Sequence, residues 1–149
     1  MRRYVLDANA LLTLVAGRPG AKRVDRMVQE AARTGMLLQM SAVNWGEVVY
    51  SMRKARGEAE ANALARSVEQ LPLNIVPVDR DRATRAGELK AIHGLGYADC
   101  FAASLALELQ ATLITADPDF QKIGNKLKVE FLPRHEASSR SQPHKTCQC

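Results

Sequence analysis

The chain predicts an α/β domain built on a mainly parallel sheet. Two observations carry that expectation. Short β-rich runs alternate with helical segments along almost the whole sequence. A length of 149 residues, with 46% hydrophobic and 25% charged content, suits one domain with a proper core.

The elements follow in order. Residues 3–6 read as a first strand, and residues 10–16 start a helix that Gly17-Arg18-Pro19-Gly20 breaks. Residues 21–33 are amphipathic, with Val24, Met27, Val28 and Ala31 at helical spacing, and Gly35 ends them. Residues 36–40 are a second strand. Ser41 is an N-cap for a helix over 42–56, and a further helix runs from 58 to about 71, before Pro72. Residues 74–78 are β-rich, and Asp79 caps a helix through about residue 92. Gly94 and Gly96 punctuate, and 97–109 form a strongly apolar helix. Residues 111–115 are a strand, Asp117-Pro118-Asp119 a turn, and 128–132 a last short strand. After Pro133 the text turns polar, so the reading is a domain over 1–133 and a flexible tail over 134–149.

The totals exclude several classes. No apolar run approaches the roughly 20 residues that a membrane span needs. The N-terminus passes from Arg2-Arg3 straight into a strand, so no signal peptide is expected. Formal net charge is +5, of which the tail holds +2 (Arg134, Arg140 and Lys145 against Glu136). That is a mild lean toward polyanions such as nucleic acid. Three cysteines make no disulfide framework. Cys100 reads as a small core residue, and Cys147 and Cys149 as incidental tail thiols. A reducing, cytoplasmic compartment fits.

Ligands of parallel sheets bind at the carboxyl ends of the strands. Asp7 follows the first strand there, and Asp117 follows the strand ending at Thr115. Each has an ordinary reading as a helix cap. Glu47 shares a helix face with Val43 and Tyr50, so it is either a carboxylate needing a partner or one whose tip reaches water. Asp99 sits in the first turn of its helix, where the dipole alone favours it. Its face continues through Ala102, Ala103 and Ala106, which permit close approach. Together, four carboxylates at one edge repel unless a cation neutralises them. Hard oxygen ligands select Mg²⁺ or Mn²⁺. No H-E-x-x-H, paired C-x-x-C, P-loop or G-x-S-x-G occurs to suggest other chemistry.

The order "LDANALL", Glu47 in "SAVNWGEVVY", "HGLGYADCFAASLA" and "TADPDF" resembles the PIN-domain ribonucleases, and most of all the VapC-type toxins of bacterial type II toxin–antitoxin pairs. The resemblance covers about residues 3–132. It implies a parallel five-stranded sheet between layers of helices and Mg²⁺- or Mn²⁺-dependent endonuclease action on RNA, including structured RNA such as tRNA. The family's metal-binding acids fall on Asp7, Glu47, Asp99 and Asp117. Asn9 stands where the family often has Ser, Thr or Asn, Thr115 matches its T-x-D element, and Asp119 is a further acid that some members share. With Asp7 read as a ligand, a helix cap falls to Asn9 as the lesser reading.

An acidic pocket that admits RNA needs basic surroundings. Arg18, Lys22, Arg23, Arg53, Lys54 and Arg56 are candidates for phosphate contacts, or else ordinary solvated helix faces. Leu11, Leu12, Trp45, Val48, Val49 and Met52 exceed what one buried face needs, so they are either core or a groove for an antitoxin. The resemblance also implies a homodimer. Two rival readings stand beside it. An aspartyl-phosphate phosphatase or receiver also places Asp at a strand end, but the phosphatases use D-x-D and the second position here is Asn9. A catalytically inactive domain that grips RNA or protein is the other.

Overall fold

The computed structural model describes residues 2–134. Five strands form one sheet: β1 (Tyr4–Leu6), β2 (Leu38–Ser41), β3 (Leu73–Val76), β4 (Thr112–Thr115) and β5 (Val129–Phe131). Their order is β3-β2-β1-β4-β5 and every pairing is parallel. Parallel neighbours need crossover connections, and helices supply most of them. The pairs α1 (Ala8–Val15) with α2 (Ala21–Thr34), α3 (Ala42–Arg56) with α4 (Glu58–Val68), and α5 (Arg80–His93) with α6 (Tyr97–Leu109) connect β1 through β4. A 3₁₀ segment, Pro118–Lys126, leads into β5.

Successive side chains of a strand point to opposite faces. Tyr4 and Leu6 pack with Leu11, Val24, Met27, Val48 and Met52. Val5 packs on the other side with Ala86, Cys100, Ala103 and Phe120. The molecule is therefore a three-layer α/β/α stack, as the alternating text predicts. Helix α6 is buried without a break from Cys100 to Ala106. Its small residues let it lie close against the sheet.

The chain leaves β1 toward β2 on one side and returns to β4 on the other. The carboxyl ends of β1 and β4 therefore meet at the switch point, where open α/β sheets bind ligands.

Several boundaries differ from the sequence reading. Helix α1 begins at Ala8 because Asp7 caps it. Helix α4 ends at Val68, and the amides of Gln70 and Leu71 close a tight turn on Ser67 and Val68 before Pro72. The turn at 117–119 extends into the 3₁₀ segment, capped by Asp117 and kinked at Gly124. Its apolar content was too short to register as a period. Leu11, Leu12, Val48 and Met52 are core, not groove, because the sheet claims that side of α1 and α3. Trp45 and Val49 stay half-buried. Most of the predicted tail, including Cys147 and Cys149, lies outside the described residues. Among the described residues no helix is long and apolar enough to cross a membrane.

Two contacts fix the far edge. Arg23 of α2 forms a bidentate pair with Glu130 of β5, at 2.8 and 2.9 Å. Gly20 adopts φ +97°, and a Cβ there would meet Pro133 Cδ at 3.0 Å and Leu132 Cβ at 3.3 Å. The α1–α2 turn thus packs directly on the chain leaving β5.

Candidate metal centre

Asp7 is almost fully buried at the end of β1. Its Oδ1 accepts the Ala10 amide at 2.8 Å, capping α1. The Thr115 hydroxyl donates to Oδ2. The ordinary and the functional readings of Asp7 therefore coexist, since each carboxylate oxygen has a second lone pair. Asn9 does not cap. It lies in the first turn of α1, half-buried.

Thr115 ends β4, so it faces Asp7 across the β1–β4 pairing. Its oxygen accepts the Asp117 amide at 3.0 Å, and Asp117 Oδ1 accepts the Asp119 amide at 2.9 Å. The "TADPD" text thereby becomes a chain of polar contacts that ends on the Asp7 carboxylate.

Asp99 enters from the first turn of α6. A Cβ on Gly96 would lie 3.1 Å from Asp99 Oδ2, so glycine there leaves the carboxylate room. Glu47 comes from α3. Asn44, one turn earlier, donates its amide to Glu47 Oε2 at 3.4 Å and to the Ala98 carbonyl at 3.1 Å. Asn44 is fully buried and ties α3 to α6 beside Asp99. Its Oδ1 is the buried side-chain polar atom without a partner among the described residues. Sequence reasoning passed over Asn44. The signal was its i−3 relation to Glu47, which puts the two on one helix face.

Burial and neighbouring charge both act on the acids at this edge. Burial pushes Asp7 up to about 7, and the charges of Asp99 and Asp117 add to the shift against the Thr115 and Ala10 hydrogen bonds. Burial likewise pushes Asp99 up to about 6, helped by Asp117, Glu47 and Asp119. Asp99 and Asp117 thus lie near enough to Asp7 for their charges to act on it, and Asp117, Glu47 and Asp119 act likewise on Asp99. Among the described residues, no three His, Cys, Asp or Glu side chains are drawn together tightly enough to close a metal shell by themselves. The donors at this edge are all oxygen, the type that Mg²⁺ and Mn²⁺ take.

A cavity of about 290 Å³ opens on this edge, lined by Asn9, Thr13, Arg18, Ala116, Asp117, Pro118 and Arg134. Of the predicted phosphate contacts, Arg18 alone lies on it. Arg23 is a correction: its guanidinium is committed to Glu130. Arg53 reaches Glu58 at 3.5 Å, and Lys54 sits over the Tyr50 ring at 5.7 Å. Lys22 and Arg56 are exposed. Arg134, assigned to the tail by its text, was not foreseen here.

The PIN domain family model matches residues 4–126, most of the chain. The chain belongs to the PIN domain family. Solved structures agree on the PIN fold. A VapBC2 complex from Rickettsia felis bound to a promoter DNA fragment is similar at TM-score 0.71 and 20% identity, covering 87% of this chain and 98% of that one. A DNA-bound VapBC from Salmonella typhimurium gives TM-score 0.70 at 18% identity, covering 88% and 98%. VapC20 of Mycobacterium tuberculosis, described as a Sarcin-Ricin loop cleaving toxin, gives 0.66 at 17%, covering 81% and 95%. No curated protein matches the sequence.

Proposed function

We propose that this PIN domain is a metal-dependent endoribonuclease of the VapC type, the toxin of a toxin–antitoxin pair. The observation that carries the reading is that Asp7 and Asp117 follow neighbouring strands at the switch point of the sheet, with Asp99 near enough for its charge to act on Asp7 and Glu47 near enough to act on Asp99. Burial raises Asp7 and Asp99, and neighbouring carboxylates raise them further, so this edge favours positive charge.

Asp7, Asp99 and Asp117 would hold the ion, and Glu47 would complete the site or help to hold a second ion. A bound Mg²⁺ or Mn²⁺ would supply positive charge against the phosphate oxygens and lower the pKa of water, so that hydroxide is available near neutral pH. Thr115 keeps one Asp7 oxygen oriented, and the α1 amide keeps the other. Asn44 occupies one Glu47 oxygen and leaves the other for an attacking water, whose proton Glu47 can accept. The family resemblance implies that the P–O3′ bond breaks, which would leave a 5′-phosphate and a 3′-hydroxyl.

The D-x-D of the phosphatases is absent, with Asn9 at its second acidic position, which weighs against the aspartyl-phosphate rival. An antitoxin partner belongs to this reading, supported by the VapBC complexes among the similar structures, and a cytoplasmic setting is part of the same proposal. With four predicted groove residues in the core, the apolar surface left on α3 is Trp45 and Val49 beside exposed Tyr50. A homodimer, a domain ending near residue 133 and the placement of the four acids as ligands are parts of the same proposal.

RNA degradation tests it directly. Cleavage is expected with Mg²⁺ or Mn²⁺, and none with EDTA or in Asp7→Asn. Persistent cleavage under chelation, by protein free of contaminating nuclease, would sink the metallonuclease reading. Growth arrest on expression, relieved by co-expressing a small open reading frame encoded next to this one, tests the toxin role.

A further inference from the structure

We propose that Arg18 and Arg134 form a subsite that grips a backbone phosphate of the RNA beside the scissile one; this rests on the nuclease reading above. The two arginines are far apart in the chain, yet both line the cavity of about 290 Å³ that shares Asn9 and Asp117 with the candidate metal centre. Their meeting is built into the fold. The Arg18 amide donates to the Thr13 carbonyl at 3.0 Å, which fixes the turn after α1. Gly20 lets that turn press on Leu132 and Pro133, immediately before Arg134. The Leu132 amide bonds the Thr115 carbonyl at 2.7 Å, and Arg23 holds α2 to β5 through Glu130. None of the ion pairs among the described residues includes Arg18 or Arg134.

The chemistry selects the ligand. Two guanidinium forks offer bidentate donors that match phosphate oxygens. Asn9 and Thr13 add short hydrogen-bonding side chains to the same wall. Asp117, the one candidate ligand on the cavity wall, sets the two arginines beside the proposed reaction centre, where a polyanion bound to it also meets them. A diester phosphate of the substrate satisfies all three features. An acidic side chain of a protein partner is the competing occupant.

The test uses the full-length chain and fluorescein-labelled bulk tRNA. Binding is measured in EDTA across a KCl series for wild type, Arg18→Ala, Arg134→Ala, the double variant and Arg33→Ala. Arg33 is exposed at the end of α2 and controls for net charge. Arg18→Ala and Arg134→Ala are expected to weaken binding several-fold each, and to lower the slope of log affinity against log salt by about one apiece. Arg33→Ala is expected to change neither. Arg18→Lys and Arg134→Lys keep the charge and should keep the salt slope. With Mg²⁺, the alanine variants should raise KM several-fold while kcat stays within about twofold. If they bind RNA as Arg33→Ala does while wild type cleaves, the subsite is overturned and the nuclease reading stands. The subsite is overturned in the same way if only affinity for a protein partner falls. If wild type cleaves no RNA with either metal, the nuclease reading fails, and the assignment beside a scissile phosphate fails with it.

Discussion

Thr115 donates its hydroxyl to Asp7 while its oxygen receives the Asp117 amide. One side chain at the end of β4 therefore orients the carboxylate at the end of β1 and sets the backbone that carries the next acid. Thr115→Val keeps the shape but deletes both bonds. Stability should fall by about 1 kcal/mol. Metal affinity and cleavage should fall roughly 10- to 100-fold, as when other partners of ligand carboxylates are removed. Thr115→Ser should restore most of both. Mn²⁺ titration by calorimetry checks the affinity, and an unaltered Thr115→Val titration would refute the role.

Asp7 rises to about 7 and Asp99 to about 6, from 3.8. A carboxylate raised in the fold keeps its proton where the unfolded chain has already lost its own. That linked stability is complete below about pH 4 and is lost as pH rises through the folded values. In EDTA, Tm should therefore fall between about pH 4 and pH 7. Mn²⁺ or Mg²⁺ should offset the fall by binding the ionised form. Calorimetric scans with and without metal test this, and a Tm that climbs over the same window in EDTA would contradict it.

Asp7→Asn removes the buried charge but keeps a cap for α1 and a partner for Thr115. In EDTA near neutral pH the variant should be more stable than wild type, by about 1–3 kcal/mol. It should also cleave RNA at least about a hundredfold more slowly. Urea denaturation and a cleavage assay on one preparation separate the two effects. A variant less stable than wild type in EDTA would contradict the burial argument, and one that cleaves at the wild-type rate would contradict the ligand role.

Asn44 carries opposed effects. Its amide bridges Glu47 and Ala98, while its buried Oδ1 goes unpaired. Asn44→Ala loses the bridge and also the orphaned acceptor, so the net stability change should be small, about 1 kcal/mol. The Glu47 carboxylate is then free to swing, and kcat should drop about tenfold with KM nearly unchanged. Equal losses in kcat and stability across several Asn44 variants would argue for packing alone.

Arg23→Ala should cost about 0.5–1 kcal/mol, because its partner Glu130 and Arg23 itself are each about a third exposed. A double-mutant cycle with Glu130→Ala should recover that coupling, and added salt should shrink it. The RNA salt slope of Arg23→Ala then reports whether the turn it secures keeps Arg18 in place.

Much of this was legible in the text. The alternation of β-rich and helical runs set the layered parallel sheet, because each strand needs a crossover helix and each helix a face to bury. The strand ends placed Asp7 and Asp117 on one edge of that sheet. The caps at Ser41 and Asp79 are local hydrogen bonds, so local sequence sufficed. The fate of α3 was not legible. Val48 and Met52 on one side and half-buried Glu47 on another follow from which layer the helix packs against, and its weak periodicity does not encode that. Arg23 and Arg134 exchanged expected roles for a similar reason. Charge reads the same in sequence whether it meets Glu130, lines a cavity or points to water. By itself the sequence determined the elements, their parallel arrangement and the identity of the acids, because those depend on neighbours a few residues away. Only the tertiary structure decided which hydroxyl holds Asp7, which amide holds Glu47 and which arginines face the cavity. Those choices join residues up to 116 positions apart, as Arg18 and Arg134 are, and only the packed sheet brings them within reach.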